Sequence, residues 1–260
     1  MNAPVVLITG ALTGIGRAAA IAFAKKGAKV VVAGRRDEAG QALAKELRSF
    51  GSEAEFINAD VRKDDDVRAM VDKTVARFGR LDVAVNNAAT EGQVGPITDQ
   101  TAESFAATFE TNVLGVVLSM KHEVRAMRAQ GSGSIINISS TYGVVSPDQS
   151  MYEGQRRGGR EWYKPVGYSV AKAGMLNFTR WLAEYCAHER LGVRVNSLVP
   201  GGVKEDGHTP EFVAEYEKRT PLGRMAREDD YNGALVFLAS RASAFMTGAT
   251  LVVDGGWTAR

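Results

Sequence analysis

Along this chain, short runs of apolar residues alternate with longer stretches in which apolar positions recur every three or four residues. Runs such as Val30-Val31-Val32 are apolar on both faces, as a strand covered on both sides must be, whereas the longer stretches have the period of a helix with one buried face. The pattern predicts strands at Val5–Thr9, Lys29–Ala33, Glu53–Asn58, Val83–Asn86, Ser134–Ile138, Val193–Leu198 and Leu251–Val253. It predicts helices over Ile15–Lys26, Glu38–Phe50, Asp64–Phe78, Glu103–Ala129 (in two pieces), Tyr168–Arg190 and Glu228–Ala239. Strands joined through helices by right-handed crossovers make a parallel sheet. The expected fold is therefore α/β: a doubly wound, seven-stranded parallel sheet with helices on both faces, Rossmann-like. No linker, repeat or low-complexity tract interrupts residues 1–260, so a single domain is expected. Two stretches break the periodicity: Thr141–Val166, rich in Gly, Arg, Glu and Gln, and Gly201–Pro210, with Gly, Asp, Lys and Pro. Long loops inside a compact domain are commonly functional, and segments 141–166 and 201–226 are expected to border the substrate.

Composition narrows the partners. The chain is 45% hydrophobic and 24% charged, enough apolar material for a full core. Its 32 Lys and Arg against 30 Asp and Glu leave a net charge of +2, which gives no basis for nucleic acid or an anionic membrane as the main partner. The lone cysteine, Cys186, excludes an intrachain disulfide and any Cys-based metal site, and within a helical stretch it reads as a small buried hydrophobe; no metal is expected. No apolar run approaches the ~18–20 residues that span a bilayer. No basic segment precedes the apolar Val5-Val6-Leu7-Ile8, so no secretory leader and a cytoplasmic location are expected.

The chemistry begins at Thr9-Gly10-Ala11-Leu12-Thr13-Gly14-Ile15-Gly16, between the first strand and the first helix. Glycine permits the tight turn and the close approach of a pyrophosphate, while the helix N-terminus offers free N–H groups and a positive dipole end. Gly10, Thr13, Gly14, Ile15 and Gly16 are thus candidate cofactor contacts. The second strand ends Val32-Ala33-Gly34, without the carboxylate that accepts the ribose hydroxyls of NAD, and Arg35 and Arg36 follow where a 2′-phosphate would be welcome; NADP(H) is expected over NAD(H), with NAD(H) usable. At the start of a helix the two cations oppose the dipole unless a phosphate is bound.

Farther along, Tyr168 and Lys172 stand four residues apart, neighbours on one helix face, and none of the other six tyrosines has a lysine at that spacing. Reducing a carbonyl needs a proton at oxygen as hydride reaches carbon. A phenol suits that task at neutral pH only where a nearby cation favours its phenolate, which Lys172 can provide. Arg156, Arg157, Arg160 and Lys164 cluster just before Tyr168, an arrangement that would suit an anionic group on a ligand.

Taken in order, these motifs resemble the short-chain dehydrogenase/reductase family over essentially the whole chain. The glycine turn has the family's Thr-Gly-x-x-x-Gly-x-Gly spacing; Asn58-Ala59-Asp60-Val61 resembles its adenine-flanking segment, and Asn86-Asn87-Ala88-Ala89 its Asn-Asn-Ala-Gly. Pro200-Gly201-Gly202 and Val253-Asp254-Gly255-Gly256 resemble its two later turns. The resemblance implies a catalytic tetrad of Asn112, Ser140, Tyr168 and Lys172. Tyr168 would be acid/base, Lys172 its tuner and a ribose ligand, Ser140 the holder of the substrate oxygen, and Asn112 a link through a water to the active-site helix backbone. It also implies cofactor contacts at Asp60, Val61, Asn87, Ala88, Pro200, Gly201 and Val203, and a homotetramer built through paired long helices and the C-terminal segment. In support of partner subunits, Trp257 stands three residues from the end of the sequence, where an unpartnered aromatic would be an odd exposure. The implied reaction is NAD(P)(H)-dependent hydride transfer to or from a small ketone, hydroxy compound or sugar. A 3-oxoacyl-thioester reductase shares the motif set, and a non-catalytic dinucleotide-binding protein would have lost Tyr168, Lys172 or Ser140. Three features depart from the family: Ser140 and Tyr168 are 28 positions apart, roughly twice the usual gap, Ala89 replaces a glycine, and Val203–Gly207 holds no threonine.

Overall fold

The computed structural model of the chain describes residues 3–157 and 159–259, with the backbone alone for Arg157 and Arg160. Seven parallel strands form the centre: β1 (Val5–Thr9), β2 (Lys29–Gly34), β3 (Ala54–Asn58), β4 (Val83–Asn86), β5 (Gly133–Ile138), β8 (Val193–Pro200) and β9 (Thr250–Val253). Their spatial order is β3-β2-β1-β4-β5-β8-β9, all seven in parallel register. The chain winds outward from β1 to β3, then returns to place β4 beside β1. That reversal opens a crevice at the carboxyl ends of β1 and β4, the place where such sheets bind ligands.

Strand side chains alternate between two cores. Leu7, Val31, Ile135 and Val195 face one side and pack against α3 (Asp64–Phe78), α5 (Gly115–Gln130) and α6 (Val166–His188). Val6, Ile8, Val30 and Val32 face the other, under α1 (Gly14–Lys25), α2 (Asp37–Ser49) and α8 (Asn232–Ala239). Cys186 is buried in the first of these cores, and burial pushes its thiol up to about 11, so it behaves as an inert hydrophobe. No helix among the described residues is long and apolar enough to cross a membrane.

The predicted helix over Glu103–Ala129 is α4 (Ala102–Phe109) running into α5 through one widened turn, Glu110–Leu114, whose hydrogen bonds skip to the fifth residue. The segments read as loops contain more structure than their composition indicates. α7 (Pro210–Arg219) starts on Thr209, whose side chain accepts the Phe212 N–H at 3.2 Å, with Pro210 in the first helical position. A short antiparallel hairpin, β6 (Arg156–Arg157) with β7 (Arg160–Glu161), lies between β5 and α6. These pieces share a third apolar cluster of Met151, Tyr152, Phe212, Tyr216 and Met225, against which Trp162 and Trp257 pack. Trp257 stacks on Tyr216 with ring centroids 4.2 Å apart. It packs against residues of its own chain and remains partly exposed.

Candidate active site

Where β1 and β4 end, the chain makes the glycine turn. Gly10 and Gly14 have φ of +61° and +57°, which side-chain-bearing residues rarely adopt. The structure revises why each glycine is needed. A Cβ on Gly10 would lie 2.7 Å from the Ala88 Cα, and one on Gly16 would lie 2.5 Å from the Asn87 amide nitrogen. Those two glycines let the turn pack against the end of β4, whereas a Cβ on Gly14 would meet nothing within 4 Å. Gly14 therefore leaves space over the N-terminus of α1. Asn87 pins the turn by donating from its amide to the carbonyls of Thr9 (3.2 Å) and Gly10 (2.9 Å), and the Thr9 hydroxyl accepts the Asn87 and Ala88 N–H groups in return. No side chain caps α1, and its first turn, unlike those of α2 and α3, carries no acid. Its N-terminal N–H groups and positive dipole end remain available to an anion.

This turn forms one wall of a groove of about 390 Å³ that also includes Arg35, Arg36, Asp60, Val61, Asn87, Ala88 and Val203. Gly10, Thr13, Gly14 and Ile15 line it, whereas Gly16 is buried behind them. Arg35 and Arg36 are exposed, and α2 begins after them with Asp37 and Glu38 in its first turn. Those acids complement the dipole, which corrects the expectation that the two arginines oppose it unrelieved. Asp60 is held down at about 2, first by hydrogen bonds from the Arg62 guanidinium and more weakly by Arg35. The groove has the polarity for a dinucleotide: space above an uncapped helix, with the cations Arg35 and Arg36 and the apolar Ile15, Ala89 and Val203 in its lining.

Ile15, Ala89, Val203 and Glu205 are shared with a second cleft of about 470 Å³, so the two spaces adjoin. Tyr168 and Ser140 line this cleft together with Pro200 and Gly201. Tyr168 is half-buried on the first turns of α6. Lys172 lies behind it, 2% exposed, donating from Nζ to the Ile138 carbonyl at 2.7 Å, with its ammonium 5.6 Å from the Tyr168 ring centre. Burial lowers the Lys172 pKa to about 8. The two serines at the end of β5 separate cleanly. Ser139 turns inward and donates to the Lys172 carbonyl at 2.8 Å, whereas Ser140 faces the cleft while accepting the Tyr142 N–H at 3.2 Å. Asn112, fully buried in the widened turn, sits one layer back. Its amide oxygen accepts the Thr90 N–H at 2.8 Å and its amide nitrogen donates to the Thr90 carbonyl at 2.7 Å. It fixes the wall that carries Ala89, Thr90 and Glu91.

The far wall is aromatic: Tyr142, Tyr152, Trp162, Phe212 and Tyr216 all line the cleft. The Tyr142 and Tyr152 hydroxyls share a hydrogen bond of 2.9 Å, and burial raises the pKa of both phenols. Tyr216 accepts the Gly202 N–H at 2.6 Å and Tyr231 donates to the Gly201 carbonyl at 2.8 Å, so the Pro-Gly-Gly turn after β8 is clamped by two tyrosines that sequence reasoning did not single out. The cationic cluster expected before α6 is only partly assembled. Arg156 lines the cleft, but Lys164 is ion-paired with Glu91 at 2.5 Å, and the side chains of Arg157 and Arg160 lie outside the described residues.

A family model described as enoyl-(acyl carrier protein) reductase matches residues 10–258. The chain is 37% identical to a cis-4-hydroxycyclohexanecarboxylate dehydrogenase of Sinomonas cyclohexanicum, covering 98% of this chain and 96% of that one. It is likewise 37% identical to an L-fucose dehydrogenase of Oryctolagus cuniculus, covering 97% and 84%. Among solved structures, a gluconate 5-dehydrogenase from Burkholderia cenocepacia in complex with NADP and tartrate superposes with a TM-score of 0.88 at 32% identity, over 100% of this chain and 97% of that one. A short-chain type dehydrogenase/reductase from Mycobacterium marinum superposes with a TM-score of 0.86 at 36% identity, over 99% and 96%. With this site geometry and matches that run nearly end to end, the chain belongs to the short-chain dehydrogenase/reductase family.

Proposed function

We propose that the protein is an NADP(H)-preferring dehydrogenase/reductase that interconverts a secondary alcohol and its ketone on a small ring-shaped substrate. The observation that carries this reading is the placement of Tyr168 and Ser140 on a cleft that adjoins the groove above the glycine turn. A bound nicotinamide dinucleotide supplies or accepts the hydride. Tyr168 gives the proton to the substrate oxygen or removes it, Ser140 hydrogen-bonds the same oxygen, and the Lys172 charge favours the phenolate. Asn112 acts as a positioning residue through Thr90. An aromatic wall around about 470 Å³ suits a compact ring, and two relatives are named for hydroxycyclohexanecarboxylate and L-fucose. Preference for NADP(H) is supported by Arg35 and Arg36 on the groove and by Gly34 at the end of β2, where a carboxylate would select NAD. In a cell, this reading makes the protein a cytoplasmic enzyme assembled as a homotetramer.

The test is a panel of cyclic alcohols and ketones, sugars, hydroxysteroids and 3-oxoacyl thioesters with each cofactor, followed by nicotinamide absorbance. Turnover of a cyclic alcohol or ketone is expected, with kcat/KM roughly 10- to 150-fold higher for the phosphorylated cofactor, the span of a charged hydrogen bond of ~1.5–3 kcal/mol. Turnover of acyl thioesters alone would replace the substrate class. Equal kcat/KM values, or a preference for NAD surviving Arg35→Ala and Arg36→Ala, would overturn the cofactor assignment.

A further inference from the structure

Tyr168 faces two ammonium groups. Lys172, four residues along α6, has its Nζ 5.6 Å from the ring centre, yet that group is drawn to the Ile138 carbonyl. The nearer cation is Lys164, four residues before Tyr168, whose Nζ stands 4.7 Å from the same ring centre and 5.5 Å from that of Tyr142. Lys164 comes from the long segment between β5 and α6, and its Nζ meets Glu91 Oε1, on the loop after β4, at 2.5 Å. Both side chains are largely shielded, at 14% and 29% exposure, and both line the cleft.

We propose that Lys164, held by Glu91, is a second positioning cation for Tyr168 and sets the ionisation of its phenol jointly with Lys172. The inference rests on the reading of Tyr168 as the acid/base group. The two lysines differ in how firmly they keep their charge. Lys172 is buried with no anionic partner among the described residues, and burial pulls it down to about 8. For Lys164, burial also opposes the charge, but the Glu91 carboxylate and the two neighbouring phenols outweigh it and hold its pKa above the ordinary lysine value. Through the range in which Lys172 discharges, Lys164 still presents a full positive charge to the ring. The other titratable groups around the cleft are Tyr142 and Tyr152, tied to each other, with Arg156, Glu205, His208 and Tyr216 farther along its lining.

The alternative role for the pair is a latch that fastens the 141–166 segment to the β4 loop. Charge and latch are separable by measuring the tyrosinate itself. The ionisation of Tyr168 is followed by ultraviolet difference absorbance of the enzyme without substrate, subtracting Tyr168→Phe made in the same background. A nearby opposite charge lowers an acid's pKa by roughly 1–3 pH units, and the attraction between the Lys164 ammonium and the Tyr168 phenolate is among those that raise the Lys164 pKa. Lys164→Met is therefore expected to move the Tyr168 midpoint up by about one pH unit or more. Lys164→Gln, which can still hydrogen-bond Glu91, should move it as far, and Lys164→Arg should restore it. In alcohol oxidation, which needs the phenolate, the rising limb of kcat against pH moves upward with the same variants. A midpoint in folded Lys164→Met and Lys164→Gln within about 0.3 pH unit of wild type would overturn the proposal, whatever happens to KM. Because the titration uses no substrate, a shifted midpoint in an enzyme that turns over nothing in the panel would leave this inference standing and remove the functional reading instead.

Discussion

Ser139 and Ser140 are adjacent and chemically identical, yet one holds the backbone of Lys172 and the other faces the cleft. An extended backbone points successive side chains to opposite sides, so at the end of β5 only one of two neighbours can serve the site. The same resolution separates the glycines: Gly10 and Gly16 answer to the end of β4, and Gly14 to the space a ligand would need. Tyr168 belongs to the cleft and does not line the glycine-turn groove, so chemistry and cofactor affinity should come apart on mutation. Tyr168→Phe keeps the ring and removes only the hydroxyl. It is expected to lower kcat about 10²–10⁴-fold, the usual contribution of a general acid–base group, while leaving the cofactor Kd close to wild type. Steady-state rates and a fluorescence titration with cofactor check both halves. Turnover within roughly threefold of wild type would remove Tyr168 from its role.

At the scale of elements, the seven strands were legible because most are short apolar runs covered on both faces, and their predicted ends lie within two residues of the observed ones. The helices with a long apolar stripe were legible for the same reason. α7 was not: it buries only Phe212 and Tyr216 from its own turns, and its charged remainder reads as loop, although Thr209-Pro210 was an available start signal. The Lys164–Glu91 contact was invisible because it joins residues 73 apart across two irregular segments, which no local period records. A third feature without a sequence signal is the polar chain inside the first core. There, Asn86 donates to Glu123 and to Asn137, Asn137 donates to Thr179, and Thr179 shares a hydrogen bond with Ser197. Glu123 on α5 is fully buried, and burial pushes its carboxyl up to about 8 against the opposing hydrogen bond from Asn86. Below about pH 4.5 the acid is neutral in both the folded and unfolded states and makes no pH-dependent difference. Between there and pH 8 only the unfolded chain ionises, so stability falls as pH rises, at up to ~1.4 kcal/mol per pH unit, and levels off above 8. Glu123→Gln keeps an acceptor for the Asn86 amide and cannot ionise. The variant should melt about 5–10 °C above wild type at pH 8, with the difference vanishing toward pH 4. Parallel melting curves across that range would contradict a neutral buried Glu123.

For the molecule as a whole, the remaining question is assembly, and the outer face of α6 bears on it. Val170, Ala173, Gly174, Asn177 and Trp181 are exposed along it at helical spacing, small near the start and aromatic toward the end. Trp181 is 60% exposed and lies parallel to the Tyr185 ring at 5.6 Å, with Phe178 6.0 Å away on the other side. An indole so presented has most of its apolar surface in water, and covering it against a neighbouring helix would remove that cost. The small residues one and two turns earlier would let that helix approach closely. The homotetramer proposed above would use this face. Trp181→Asp places a charge at the centre of such a contact, where it would be desolvated without a partner, yet on the isolated chain it changes only an exposed position. Wild type is expected to scatter light as a tetramer at micromolar concentration, and Trp181→Asp as a smaller species with an unchanged circular dichroism spectrum. A wild-type monomer would refute the assembly, and a Trp181→Asp tetramer as stable as wild type would show that this face of α6 is not where the subunits meet.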